Sequence, residues 1–291
     1  MKKVTLGATG ISVSLLGIGT GTADRLGRCC QALMSEEALA RLLLYAYERG
    51  VTFWDTALMY DTHRHVRRAL RGVGRDCVVL TTKLAAASEK QAEKELLRAL
   101  KELDVSSVDI CCLHGVRNAI DFAGRHGALN ALVKLKKRGL IRAIGLSSHG
   151  IEALEAAAQT PEIEVVWARI NYAGLVMDNR ALGLYDRIAS VAWAKKLVKM
   201  LPRGLIAPVR TTMTARPVSA RDRGEVTGLL QSLHRAGKGV VGMKVFAEGR
   251  LSHDAARALA YVNDLPFIDS CVVGMLTEKE IDGNCRMING S

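Results

Sequence analysis

The chain has 291 residues, of which 49% are hydrophobic and 24% charged, a balance that supports a folded core and argues against disorder. The net charge is +12, but the basic residues are spread along helical stretches and aromatics make up only 4%, which argues against a nucleic-acid surface built on base stacking. No apolar run approaches the ~18 residues that a membrane span needs. The seven cysteines show no C-x-x-C spacing, so the expectation is reduced thiols in the cytoplasm and no metal site.

The opening Met1-Lys2-Lys3 imitates a secretory signal only faintly, because Gly7, Thr9, Gly10 and Ser12 interrupt the apolar stretch. A β-hairpin over Lys3–Ser14, turning at Ala8-Thr9-Gly10, accounts for it better, with a strand at Leu15–Gly19 to follow. Ser35 then caps a helix with Ala38, Leu42, Leu43 and Ala46 on its apolar face and Gly50 at its end. A strand at Val51–Thr56, a short basic helix at His65–Arg71 and a strand at Cys77–Lys83 come next. Ser88-x-x-Gln91 reads as a capping box for a helix that aligns Leu96, Leu100 and Leu103. Strands at Val108–His114, Ile141–Ser147 and Ile163–Ile170 alternate with helices at Ala128–Arg138 and Ile151–Ala158.

After a long segment with helical stretches at Leu182–Met200 and Arg221–Ala236, strands at Val240–Phe246 and Ile268–Gly274 flank a helix at Asp254–Val262. A last helix begins near Thr277. The strand runs are almost continuously apolar, as strands buried on both faces of a parallel sheet are. Eight of them at βαβ spacing predict one (β/α)8 TIM barrel over residues 1–291, with an N-terminal β-hairpin and a long, atypical helical insertion, 171–238, before the seventh strand.

In such a barrel the C-terminal strand ends converge on one mouth, where function resides. Asp55, Lys83 and His114 each follow a buried run directly, and Tyr60 lies five residues beyond Asp55. Unpaired buried charges cost several kcal/mol, so these residues are expected to pair with one another. Together they read as acid catalysis at a carbonyl. Tyr60 donates a proton, Lys83 lowers its pKa from the ordinary ~10, Asp55 balances the lysine, and His114 positions the oxygen.

Three other patterns carry less. Gly17-Ile18-Gly19-Thr20-Gly21 lacks the helix that a dinucleotide fingerprint opens at once, and reads as a glycine-rich loop at the barrel mouth. His63-x-His65 beside Asp61 could ligate a metal from a strand, but the stretch favours a helix, where the two diverge. Lys195, Lys196, Lys199 and Arg203 read as a solvated helix face, with an anion-attracting lid as the minority reading.

The stretches Phe53-Trp54-Asp55-Thr56-Ala57-x-x-Tyr60, Thr81-Thr82-Lys83, Ile110-Cys111-Cys112-Leu113-His114 and Ile144-Gly145-Leu146-Ser147-Ser148 resemble the aldo-keto reductase family. So do Gly50-Val51-Thr52 and the opening Leu6-Gly7-x-Thr9-Gly10-Ile11-x-Val13-Ser14. The resemblance implies NAD(P)H used without a Rossmann domain, the Asp–Tyr–Lys–His tetrad in the roles above, and a hairpin that closes the barrel floor. It implies cofactor contacts at Gly19, Thr20, Ser147, Ser148 and Asn171, at Lys244 and Gly274, and at Glu280 and Asn284. Met243 stands where the family usually stacks a tyrosine on the nicotinamide.

NADP is the expected cofactor. NAD stays open because Glu280 stands where members that grip the 2′-phosphate often carry Arg, and an acidic residue suits a free ribose hydroxyl. The expected activity is hydride transfer between cofactor and a small carbonyl or alcohol. The alternative is a cofactor-binding barrel acting as a regulatory or interaction protein with little turnover.

Overall fold

The computed structural model describes residues 1–24, 28–175 and 220–290. The predicted helices at Leu182–Met200 and the basic set Lys195, Lys196, Lys199 and Arg203 lie outside these residues.

β1 (Lys3–Thr5) and β2 (Ser12–Ser14) pair antiparallel as the expected hairpin. Eight parallel strands then close a barrel in chain order: β3 (Leu16–Gly19), β4 (Phe53–Asp55), β5 (Val79–Leu84), β6 (Val108–Val116), β7 (Ile141–Ser148), β8 (Val165–Arg169), β9 (Gly239–Met243) and β10 (Ser270–Gly274), which pairs back onto β3. Around them lie α1 (Glu36–Glu48), α2 (His63–Val73), α3 (Glu89–Leu103), α4 (Ala119–Ala123), α5 (His126–Lys137) and α6 (Ile151–Ala158), then α7 (Ala220–Arg235), α8 (Ala255–Asn263) and α9 (Glu278–Asn289).

The caps read from the sequence are in place. Ser35 accepts from the Ala38 amide and Ser88 from Gln91, and the structure adds Thr277, which accepts from Glu280, so orphan amides of α1, α3 and α9 find partners. The basic helix α2 starts two residues earlier than its apolar pattern predicts. His63 and His65 therefore diverge on a helix. His63 is held by Glu102 at 2.9 Å and Thr82 at 3.1 Å, and His65 donates to the Met34 carbonyl at 3.1 Å. Among the described residues no group of His, Cys, Asp or Glu is arranged to hold a metal, and no helix is long and apolar enough to cross a membrane.

Strand alternation sorts the core into two parts. Outward-facing residues such as Leu80, Cys111, Ile144 and Val240 pack beneath the helices, while Phe53, Ile110, Ala143, Val165 and Val241 fill the barrel interior. Leu6, Ile11 and Val13 of the hairpin join that interior cluster and plug its floor. Burying each of these side chains contributes about 1.5–3 kcal/mol. The hairpin can press this close because Gly7 has a φ of 47° and a Cβ there would lie 2.4 Å from the Gly237 carbonyl oxygen.

Candidate active site

The same alternation fixes what faces the mouth. Phe53 and Asp55 point inward from β4, Cys112 and His114 from β6, and Val165, Trp167 and Arg169 from β8. Lys83 lies one residue before the end of β5, and the β6 ladder shifts register between Leu113 and Val116, beside His114.

The four predicted residues meet there. Lys83 Nζ donates to Asp55 Oδ2 at 2.5 Å and to the Thr56 carbonyl at 3.1 Å. It also lies 5.3 Å from the centroid of the Tyr60 ring, which meets His114 edge-to-face at 5.4 Å. None of the described residues hydrogen-bonds the Tyr60 hydroxyl, so its proton is available to a ligand. Trp167 lies beside the tetrad, the centroid of its ring 5.9 Å from Lys83 Nζ. Asp55 Oδ1 has no hydrogen-bond partner within ordinary geometry, although the nearby Trp167 indole helps to stabilise the carboxylate.

Burial dominates the electrostatics. It pushes the Asp55 carboxyl up against the opposing pull of Lys83. Burial also works to lower Lys83, but Asp55 and Tyr60 outweigh it and hold the ammonium above its ordinary range. His114 is driven down to about 3, first by burial and then by the positive charges of Lys83, Arg125 and Lys244, so its imidazole is neutral.

Tyr60 corrects the sequence reading. Lys83 does pull its pKa down, but loss of water around the ring raises it by more, and the phenol lies above its ordinary value. The lysine limits the rise and does not produce a fall.

The family-implied cofactor residues divide. Ser147 faces the mouth, its hydroxyl donating to Met243 Sδ at 3.9 Å, and Lys244 directly follows β9 with Nζ 3.4 Å from Glu248. Gly274 ends β10 at the surface, and Gly19 lies beside it in the ladder. Other polar groups are engaged within the protein. The Thr20 hydroxyl contacts Thr62 at 2.8 Å, and Ser148 bonds the Val116 and Gly150 carbonyls and the Gly150 amide. Asn171 clasps Leu175 through both ends of its amide. Glu280 accepts from the Leu276 amide at 2.6 Å, completing a cap at the α9 N-terminus, and Asn284 lies on the buried face of that helix. Ser147, Lys244 and the Gly274–Thr277 turn with the α9 amides thus fit a nicotinamide dinucleotide, offering a hydroxyl, a cation and a helix N-terminus for its phosphates.

Sequence reasoning gave Gly21 only a place in a glycine-rich loop at the mouth and passed over Trp167 and Arg169. Gly21 has its Cα against the Tyr60 ring, where a Cβ would lie 2.4 Å from Cε2 and Cζ, so only glycine lets the tyrosine lie there. Trp167 was absorbed into an apolar strand. Arg169 is the one charged residue inside β8 and carries the inward parity of Trp167, a signal already present in the alternation.

The aldo/keto reductase family model matches residues 15–289. The NADH-specific methylglyoxal reductase of Escherichia coli (strain K12) is 25% identical over 207 residues, covering 63% of this chain and 63% of that protein. Methylglyoxal reductase DkgA of the same organism is 32% identical over 165 residues, 55% of this chain and 59% of its own. The chain thus aligns with less than two thirds of the length of these relatives. Among solved structures, the holo form of an aldo-keto reductase from Bacillus halodurans superposes with a TM-score of 0.70 at 18% identity, covering 100% of this chain and 92% of that one. An aldo/keto reductase from Brucella melitensis gives 0.64 at 16% identity, covering 98% and 92%. Those likenesses carry the fold, and the family match carries the lineage: this chain belongs to the aldo/keto reductase family.

Proposed function

We propose that this protein is an NAD(P)H-dependent oxidoreductase that reduces the carbonyl of a small aldehyde or ketone to an alcohol, with Tyr60 as the general acid. The observation that carries this reading is the Tyr60 hydroxyl, which has no hydrogen-bond partner among the described residues and stands beside neutral His114 above the buried Lys83–Asp55 pair. A nicotinamide cofactor, when bound, supplies the hydride.

Neutral His114 donates a hydrogen bond to the carbonyl oxygen and orients it. As negative charge develops on that oxygen, Tyr60 delivers its proton, and Lys83 stabilises the phenolate left behind. Asp55 keeps Lys83 in place and charged. Trp167 and the apolar barrel beneath exclude water, which strengthens each of these interactions. Burial raises the Tyr60 pKa, so the free protein holds the phenol in the protonated form that a proton donor needs.

Ser147, Lys244 and the turn before α9 would hold the cofactor. Glu280 disfavours a 2′-phosphate and supports NADH beside NADPH, and one relative is itself named NADH-specific. All seven cysteines are free thiols, which supports a reducing compartment such as the cytoplasm. The alternative of a cofactor-binding regulatory barrel has less support, because a turnover-free protein has no need of an assembled proton donor.

The test is cofactor oxidation with a panel of small carbonyls, comparing the native chain with Tyr60→Phe. Loss of about 10²–10⁴-fold in rate supports the reading. Equal and negligible rates in both proteins would sink it. Titration with NADH and NADPH fixes the cofactor.

A further inference from the structure

We infer that the Trp167 indole is a positioning group for proton delivery: its N–H donates to Asp55 Oδ1 from the barrel interior and, through Asp55 and Lys83, sets the pH range over which Tyr60 acts. This rests on the mouth being the reaction site, as proposed above, and adds a residue to its machinery.

Trp167 belongs to the interior cluster and packs on Phe53 of β4 with ring centroids 6.1 Å apart. Its ring centroid is 5.9 Å from Lys83 Nζ, which is itself 2.5 Å from Asp55 Oδ2. An indole N–H can only donate, and a carboxylate oxygen can only accept. Among the described residues Trp167 Nε1 and Asp55 Oδ1 are both buried without a partner of ordinary geometry, and buried polar groups left so are costly. Two other buried atoms from inner-face positions share that condition, Thr81 Oγ1 and His114 Nδ1. Thr81 is the ladder neighbour of Asp55 and has inward parity, because Leu80 packs beneath the helices and Thr82 bonds His63 of α2. Thr81 is uncharged and His114 is neutral, whereas Asp55 faces a cation as a carboxylate. Hydrogen bonds to a charged acceptor are roughly twice as strong as neutral ones, so the indole has one preferred partner.

The consequence runs along the chain of contacts. Asp55 Oδ2 is committed to Lys83, and Lys83 gives a second proton to the Thr56 carbonyl. A bond at Oδ1 fixes the carboxylate plane and favours its ionised form against the burial that raises its pKa. An ionised Asp55 in turn keeps Lys83 placed to stabilise the phenolate that forms on Tyr60. The other groups around the pair are Tyr60 from the loop after β4, Cys112 and His114 from β6, Cys29 near Tyr60, and Arg169 two residues further along β8. Arg125 and Lys244 reach the set through His114. Burial holds Tyr60, Cys112 and Cys29 above their ordinary values and His114 at about 3. Of the groups so shifted, Asp55 is the one that titrates between those limits, as half of a coupled pair with Lys83. Removing the indole N–H withdraws support from the carboxylate, raises the apparent pKa of the pair, and so moves the loss of activity on the acid side to higher pH.

The experiment compares the pH profile of kcat/KM for butanal in the native protein and in Trp167→Phe, which keeps an aromatic ring against Phe53 and removes the donor. The acid limb should move up by about one pH unit. On that limb kcat/KM then falls about 10-fold, while the plateau changes little. An equal fall at every pH, with the limb in place, overturns the proposal and leaves Trp167 a packing residue. A second readout is independent of turnover. The protein has three tryptophans, and with nitrogen-15-labelled tryptophan each indole gives its own NMR signal. The Trp167 signal, identified as the one lost in Trp167→Phe, should shift as the pH falls and cease to titrate in Asp55→Asn. The Trp54 indole, which donates to the Val51 carbonyl at 3.1 Å, should stay in place and report intact folding. A Trp167 signal that is indifferent to Asp55→Asn, or that responds to Thr81→Val instead, refutes the bond. If the native protein turns over no aldehyde with NADH or NADPH, the reductase reading fails by itself, and the indole signal still decides between Asp55 and Thr81.

Discussion

Lys83 Nζ lies 2.5 Å from Asp55 Oδ2, an ion pair whose two members are almost wholly excluded from water at the floor of the barrel mouth. Among the described residues neither charge has another charged partner, so the pair behaves as one unit in both stability and chemistry.

Lys83→Met strands the Asp55 carboxylate and should cost about 3–5 kcal/mol of stability. Adding Asp55→Asn removes the stranded charge and should restore most of that loss in urea unfolding, while the reductase rate stays low. A double variant no more stable than Lys83→Met alone would show that the pair is not coupled.

Gly21→Ala places a Cβ 2.4 Å from the Tyr60 ring. The ring must shift to make room, and it should take its hydroxyl with it. The expected outcome is a kcat lowered by about 10-fold or more, since small misplacements of a reacting group are costly, with a melting temperature close to that of the native protein. A normal kcat would mean that Tyr60 adapts in place.

His114 predicts a pH dependence of stability. Its folded-state pKa of about 3 lies below the ordinary 6.5, so between these values the unfolded chain binds a proton that the folded one does not. Its contribution is fully present above pH 6.5 and is lost as the pH falls toward 3, by up to ~1.4 kcal/mol per pH unit. Burial lowers the pKa of His63 as well, but that residue is common to both proteins in a comparison with His114→Gln. The variant should therefore lose less stability than the native chain between pH 6.5 and 4.5. Parallel curves from the two proteins would contradict a neutral, buried His114.

Glu280 has two separable roles. Its carboxylate accepts from the Leu276 amide at 2.6 Å, so Glu280→Ala should destabilise the protein by about 1 kcal/mol, read as a lower urea midpoint. Glu280→Arg removes a repulsion and adds a phosphate partner, and should shift the NADPH-to-NADH affinity ratio upward by about 10-fold. A shift in stability alone would confine Glu280 to capping.

Much of this protein was legible because barrel strands write themselves as apolar runs ending in a polar residue. Asp55, Lys83 and His114 were visible as the first ionisable residues after three such runs, and Tyr60 followed from its short distance to Asp55. The capping serines were equally visible, because a helix N-terminus is satisfied within a few residues of chain. Arg169 was hidden by its neighbours, since Val-Val-Trp-Ala-Arg reads as one buried strand until the inward parity of Trp167 is known.

The polar positions at the mouth could not be assigned from spacing, because a hydroxyl or amide has several partners within reach once the chain is folded. Ser148, Asn171 and Thr20 have the residue types of a cofactor site, yet each bonds a neighbouring loop or strand end. The direction of the Tyr60 shift was likewise inaccessible, being the difference between a lysine's attraction and the removal of water.

The sequence by itself determined the barrel, its hairpin floor, the caps and the tetrad, because each follows from local periodicity or from position at a strand end. The tertiary structure decided which side chains share the mouth, and that burial raises rather than lowers the Tyr60 pKa. Those outcomes depend on distances and burial between residues far apart in the chain, and desolvation is set only when the whole barrel has closed around them.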